Sequence, residues 1–240
     1  MSVFPHGKEN GNKLCKLDTL LGRIELLKLY GYWRSSAAYR VRIALHLKEL
    51  IFEQESINLA PHAKSHLSEA FKKLNPQMRV PVLQTPDGLI TQSMAVLEWI
   101  EETQTGASLL PVNAYDRAKC RAYANLIASD VHPLNIPAVL QTLHEDFSAT
   151  KEQQNIWYSN WIHRGFEALE NFAREGQSPF FFGEMPTFAE ICLVPQIYNA
   201  RRYSVDLSGF PKLLEIDEAC RALKAFDLAA PENQPDAVVS

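Results

Sequence analysis

Three short stretches and a set of arginines carry the residue types able to do chemistry in this 240-residue chain. Arg34-Ser35-Ser36 falls between a short apolar run and a helical pattern. A helix N-terminus presents unpaired N–H groups and a partial positive charge. A serine there can help to hold an anion or to lower the pKa of a thiol, although an ordinary N-cap serine looks the same in a sequence. Val80-Pro81 stands at the entrance of a strand pattern. A cis bond there turns the preceding backbone outward and offers Val80 N–H and C=O to an extended ligand, like an added strand; a trans proline opening a strand is the plainer reading. Gln92-Ser93 opens a further helix and either receives a carboxylate or simply caps it. Arg34, Arg40, Arg42, Arg201 and Arg202 supply guanidinium forks that pair bidentately with carboxylates. Surface solvation is the plainer reading for any single one, above all for Arg42 and Arg201.

Other chemistries lack their residues. His62 and His66 stand four apart, but neither an HExxH pattern nor an acidic partner accompanies them, so no metal is expected. No dinucleotide glycine fingerprint, phosphate loop or G-x-S-x-G elbow occurs. Cys15, Cys120, Cys192 and Cys220 form no CxxC pair. They read as small buried hydrophobes or free thiols in a reduced, cytoplasmic compartment.

The elements that must position these residues follow from periodicity. Residues 24–33 are apolar, aromatic-tipped and short, as in a buried strand; 37–50 show helical spacing; 51–59 alternate like a second strand. Residues 63–76 read as a short amphipathic helix, 80–93 as a hairpin turning at Asp87-Gly88, and 94–104 as a helix started by Ser93. The order β-α-β-α-β-β-α implies a small α/β sheet with helices on both faces. Beyond residue 115 the strand signals vanish. Helical patterns cover 116–135 (interrupted at Pro133), 151–175, 187–203 and 210–226, with a Thr187-x-x-Glu190 capping box and a kink or early end expected at Pro195. We therefore expect an α/β domain over 25–105, a linker over 106–114 and an all-helical domain over 115–228. Residues 1–24 read as a mobile extension with room for a short helix at Leu17–Leu21, and 229–240 as a polar, disordered tail.

Composition excludes several classes. With 46% hydrophobic and 22% charged residues the chain is neither fibrous nor wholly disordered. A net charge of −4 gives no basic excess for nucleic acid or anionic membranes. No apolar run approaches the roughly 20 residues of a membrane span, and the polar N-terminus resembles neither a secretory signal nor a transit peptide.

The runs SSAAYRVRIALHLKEL, LNPQMRVPVL, ITQSMAVLEWIEE, DVHPLN and LVPQIYNARRYSVDL, in this order, resemble the zeta class of glutathione transferases. That class is also known as the maleylacetoacetate isomerases and includes bacterial maleylpyruvate isomerases. The resemblance spans about residues 25–228. It implies a thioredoxin-like α/β N-terminal domain, an all-α C-terminal domain, a cytoplasmic homodimer, glutathione as cofactor and a small dicarboxylate or other electrophile as substrate. Val80 before a cis Pro81, with Arg79 beside it, matches the position whose backbone pairs with the cysteinyl unit. Gln92 and Ser93 match the γ-glutamyl carboxylate site, and His66 and His132 match positions that approach glutathione. Ser35 matches the serine that activates the thiol, with Ser36 close behind. Arg34 and Arg202 match arginines that hold the substrate's carboxylates, and Arg40 is grouped with them. The implied reaction converts maleylacetoacetate to fumarylacetoacetate in tyrosine and phenylalanine breakdown, by thiolate addition, bond rotation and elimination. Ala37 stands where the family often has a cysteine, so the serine route alone is expected. Ile136-Pro137-Ala138 replaces a polar stretch, which implies a lost contact to glutathione or substrate. Two other readings share the fold: a broader transferase or peroxidase acting on α-haloacids or peroxides, and a non-catalytic interaction module.

Overall fold

The computed structural model describes residues 27–60, 63–176 and 178–238. The N-terminal extension with its suggested helix, Cys15 and His62 lie outside the described residues.

Strand β1 (Leu27–Gly31) alternates between two environments. Leu27 and Leu29 enter the main core with Leu83, whereas Tyr30 joins Val82, Ile57 and Phe71 in a smaller cluster. Successive strand side chains point to opposite faces, so both faces of this strand are covered. β1 runs parallel to β2 (Phe52–Ser56) and antiparallel to β3 (Val82–Thr85), which pairs antiparallel with β4 (Gly88–Thr91). The sheet order is β2-β1-β3-β4, the mixed sheet expected of a thioredoxin-like domain. The parallel pair requires a crossover, and α1 (Ser36–Leu47) supplies it. A 3-10 turn (Ser65–Leu67) and α2 (Glu69–Leu74) replace the single helix expected over 63–76, because Ser68 leaves the first turn and caps the second by accepting from Phe71 N–H.

Helix α3 (Ser93–Thr103) returns across the sheet. The helical half contains α4 (Ala114–Asn125), α5 (Pro137–Glu145), α6 (Lys151–Glu175), α7 (Phe188–Arg202), α8 (Pro211–Arg221) and α9 (Lys224–Ala229). α5 was not assigned from the sequence. Pro137 sits at its first position, where the missing N–H costs nothing and the fixed φ favours a helix. α4 opens into a π-helical segment, Leu126–Val131, before a 3-10 turn, His132–Asn135. Pro133 cannot continue an α-helical ladder, so the hydrogen bonding changes ahead of it.

α7 is buried along most of its length and joins the helical half to the sheet half through α1. The expected Thr187–Glu190 capping box is present. The helix does not end early at Pro195 but continues through it; it packs on α1, α4 and α8. The single helix expected over 210–226 is two, because Leu223 takes an extended conformation that lets α9 fold back onto α1.

The last segment is also folded, where composition suggested disorder. Pro231–Asn233 form a 3-10 turn, and Gln234 is buried, donating to Leu228 C=O and Ala230 C=O. The Gln234 side chain meets protein groups rather than water.

Gly165 of α6 lies at a close approach between α6 and the π-helical segment. A Cβ there would lie 2.4 Å from Val131 Cγ2 and 3.0 Å from Leu126 Cδ2. Val131 is β-branched and stiff, so Gly165→Ala is expected to cost about 1–3 kcal/mol by overpacking. Urea denaturation measures it; an unchanged midpoint would show that the segment yields freely.

Candidate functional site

The loop from Tyr32 to Ser35 brings the chain from β1 into α1. Ser35 is the N-cap, extended at φ −73° and ψ 118°. Its N–H donates to Tyr32 C=O at 3.0 Å, its C=O accepts from Tyr39 N–H at 2.8 Å, and its Oγ accepts from Ala38 N–H at 3.3 Å. With its oxygen already accepting, the hydroxyl hydrogen is left to donate outward. The first turn of α1 holds no acidic residue, so its partial positive charge is uncompensated.

Ser36 differs. It is buried, and Asn199 Nδ2 of α7 donates to its Oγ at 2.5 Å. Asn199 Oδ1 in turn accepts from Arg202 at 3.2 Å. Asn199 was not singled out from the sequence, although its place three residues before Arg202 on one helix puts both on the same face. Arg202 and Arg34 are both exposed, lying 5.5 Å over the Tyr203 ring and 5.0 Å over the Trp33 ring. Both also act on the Tyr198 phenol. Burial and then Glu232 push that phenol up to about 12, while Arg202 and Arg34 pull the other way. Arg34 precedes Ser35 in the chain, and Arg202 is linked to the neighbouring Ser36 through Asn199.

A second group lies along the sheet. The Val80–Pro81 bond is cis. Val80 is two residues before the β3 ladder, and the exposed Arg79 is fixed through its carbonyl, which accepts from Asn75 Nδ2 at 2.6 Å. Gln92, not Ser93, is the N-cap of α3; its φ of 68° makes Ser93 the first helical residue. The Ser93 side chain is therefore not spent on capping. It accepts from Arg40 at 3.3 Å.

Arg40 lies in the interior, 2% exposed, between α1, α3 and the His132 turn. It is not aligned with Arg34 and Arg202. Its Nη2 meets His132 Nδ1 at 3.4 Å, and its Nε has no partner. Arginine only donates, so His132 Nδ1 accepts and the ring is neutral. Burial above all, with help from Arg40 and Arg79, takes the His132 pKa down to about 3. His66 lies in the 3-10 turn with an unpartnered Nδ1 and a pKa lowered by burial and by Lys64. Among the described residues no hydrogen bond links it to the rest.

Arg42 corrects the expectation of a solvated side chain. It is 0% exposed and donates to Tyr32 C=O, Trp33 C=O and Ala229 C=O. Arg201 is exposed but paired with the buried Asp217 at 2.7 Å. Ile136 caps α5 without a side-chain bond, and Pro137 and Ala138 are exposed, so this stretch adds no polar side chain.

Among the described residues no protein thiol is placed to react. Cys120, Cys192 and Cys220 are buried, and burial raises each thiol pKa, that of Cys120 to about 11. Among the described residues no cysteine can supply a thiolate nucleophile here, which leaves that part to a ligand. The residues present fit such a ligand: a helix start at Ser93 for a carboxylate, the backbone of Val80 before its cis bond for a peptide unit and a free hydroxyl at Ser35 for sulfur. Among the described residues no cluster of His, Cys, Asp and Glu could hold a metal ion.

The neutral His132 makes stability pH-dependent. The unfolded chain binds a proton near pH 6.5 while the folded chain does not, so stability is full above 6.5 and falls as pH drops toward 3. The slope is at most about 1.4 kcal/mol per pH unit. Between pH 7.5 and 5.0, His132→Gln is expected to remove up to about 2 kcal/mol of the acid-side loss. Urea denaturation at both pH values checks this; equal losses in both proteins would mean that the ring is charged in the native state.

Comparisons with known proteins agree with this geometry. Residues 25–102 match the family model for the glutathione S-transferase N-terminal domain, and 157–226 match that for the C-terminal domain. The chain is 42% identical over 211 residues to a probable maleylacetoacetate isomerase of Vibrio cholerae, covering 88% of this chain and 98% of that one. Among solved structures, a holo maleylpyruvate isomerase described as a bacterial zeta-class glutathione S-transferase matches with a TM-score of 0.85 at 41% identity, over 88% of this chain and all of that one. A maleylacetoacetate isomerase from Methylobacterium extorquens AM1, with bound malonate and glutathione, matches with a TM-score of 0.84 at 35% identity, again over 88% and 100%.

Proposed function

Because the chain belongs to the glutathione S-transferase family, in its zeta class, we propose that it is a glutathione-dependent cis–trans isomerase of maleylacetoacetate. The observation that carries the reading is Ser35: its oxygen accepts from Ala38 N–H at the start of α1, which leaves its hydroxyl hydrogen free to donate. The isomerase names of the relatives and the glutathione and malonate in one neighbour support it.

When bound, glutathione supplies a thiolate that adds to the cis double bond, leaves a single bond free to rotate, and departs by elimination. The protein's part is positioning and electrostatics. The Ser35 hydroxyl donates to the sulfur, and the start of α1 adds favourable potential, so the thiolate is populated at neutral pH. Val80 pairs through its backbone with the peptide, with Arg79 alongside, and Gln92 and Ser93 receive the γ-glutamyl carboxylate. Arg40 fixes Ser93 and His132 from below, a supporting part rather than the substrate contact first expected of it. His66 faces the ligand from the 3-10 turn. Arg34 and Arg202 hold the substrate's carboxylates and stabilise the enolate charge that develops on addition. In this reading residues 25–105 bind glutathione and 115–228 complete the substrate side. Family resemblance supports a cytoplasmic homodimer. Among the described residues no helix is long and apolar enough to cross a membrane.

The test is to follow maleylacetoacetate and maleylpyruvate by absorbance, with and without glutathione, and to assay glutathione afterwards. Turnover that needs glutathione but does not consume it is expected. Glutathione binding without turnover of either substrate would overturn the isomerase, and consumption of glutathione with an α-haloacid would then favour a broader transferase.

A further inference from the structure

The segment after α9 is hydrogen-bonded to the loop that leads into Ser35. Arg42, fully buried, is the first link. Its Nε donates to Ala229 C=O at 2.9 Å, while its two Nη atoms donate to Trp33 C=O at 2.9 Å and Tyr32 C=O at 3.4 Å. Asp236 is the second. Its Oδ2 accepts from Trp33 N–H at 3.2 Å and from the Ser56 hydroxyl at 2.5 Å. Glu232, in the 3-10 turn between them, helps to raise the pKa of the Tyr198 phenol on α7. Gln234 closes the turn between them by donating to Leu228 C=O and Ala230 C=O.

The loop carrying Ser35 is therefore gripped by its own backbone polar groups. Arg42 holds the carbonyls of Tyr32 and Trp33, and Asp236 holds the N–H of Trp33. Tyr32 C=O also accepts the Ser35 N–H at 3.0 Å. A shift of this peptide pair would move Ser35 directly. Asp236 Oδ1 is buried without a partner, which is costly, so this carboxylate is held in place for more than its own solvation.

We infer that residues 229–238 form a positioning strap for the Ser35 loop, with Asp236 as its key and Arg42 as its anchor. The inference rests on the serine-based isomerase reading above. Asp236 touches neither ligand nor reacting atoms in this role. It acts through the Trp33 peptide, so its loss weakens the Ser35–sulfur contact and not the binding of the rest of glutathione. The groups facing Asp236 are Ser56 Oγ and Trp33 N–H, with Arg42 within electrostatic reach.

The experiment compares the full-length protein with Asp236→Ala and Asp236→Asn. Three quantities are read: kcat and KM for isomerisation, the ultraviolet absorbance of bound glutathione thiolate against pH, and thermal midpoint. For Asp236→Ala we expect kcat to fall about tenfold, KM for glutathione to stay within about twofold, and the thiol titration to move up by about one pH unit. Asp236→Asn keeps one acceptor oxygen and is expected to recover most of the loss. In a Ser35→Ala background, Asp236→Ala should have no further effect on kcat, since both act on one contact. Three results would each overturn the strap: an unchanged thiol titration in Asp236→Ala, a kcat loss that adds fully to that of Ser35→Ala, or a fall in thermal midpoint with kcat intact. A wild-type protein that neither binds glutathione nor isomerises would instead sink the functional reading itself, and the titration on wild type separates the two failures.

Discussion

Ser35→Ala is expected to lower kcat for maleylacetoacetate by about 10²–10³-fold while moving KM for glutathione less than about threefold. The asymmetry follows from where the hydroxyl points. Glutathione has many other contacts to Val80, Gln92 and Ser93 in the proposed mode, and the Ser35 hydroxyl addresses only sulfur. A donor that touches the reacting atom contributes most when charge is concentrated there, as in the thiolate and the transition state it forms. Ser35 also caps α1 by accepting from Ala38 N–H, so its loss costs about 1 kcal/mol of stability. Assays below the thermal midpoint separate that cost from catalysis. Ser35→Thr retains the cap and the donor and should recover activity in part. Ser36→Ala is the control. Its hydroxyl is already engaged by Asn199, so its removal should loosen the link to Arg202 and act mainly on substrate KM. Steady-state kinetics decide between them. A collapse of kcat in Ser36→Ala with none in Ser35→Ala would transfer the thiol to the second serine.

Arg202→Ala should raise KM for a dicarboxylate by about 10–100-fold and leave a neutral electrophile, such as 1-chloro-2,4-dinitrobenzene, within about twofold. A hydrogen bond to a charged group contributes about 1.5–3 kcal/mol, and each 1.4 kcal/mol is tenfold in affinity. Arg202 is exposed, with Asn199 Oδ1 its one hydrogen-bond partner among the described residues. Its deletion therefore leaves no buried charge behind, and the thermal midpoint should not move. Arg202→Lys keeps the charge without the planar fork and should fall between the two. Parallel kinetics on the two electrophiles read the result. Equal losses on both would mean that the side chain shapes the pocket rather than binding carboxylate.

The two serines show how far a sequence reaches. Ser35 and Ser36 are adjacent and chemically alike, and helical spacing places both at one helix start. The sequence pattern cannot decide between them, because the difference lies in a partner 163 residues away: Asn199 takes Ser36 and leaves Ser35 free. Gln92-Ser93 left two readings open, a carboxylate site or a simple cap. The left-handed Gln92 is itself the cap, and Arg40 from α1 takes the Ser93 hydroxyl. Arg40 and Arg42 have the same limitation. Arginine is normally exposed, and only the burial of α1 on every side turns them inward.

Local pattern determined the sheet's strand–helix order, the hairpin at Asp87-Gly88, the Thr187 capping box and the 25-residue span of α6. These follow from backbone and side-chain preferences within a few residues. It also determined which residue types could meet a thiol, a peptide backbone and carboxylates. Tertiary structure alone decided which of those residues are free to act. It sent Arg42 into the interior, bound Ser36 to α7, let α7 run through Pro195 and folded residues 229–238 onto the Ser35 loop. The physical reason is common to all four: a polar group's role is set by whether its hydrogen-bonding capacity is already taken, and the groups that take it come from parts of the chain that only packing brings together.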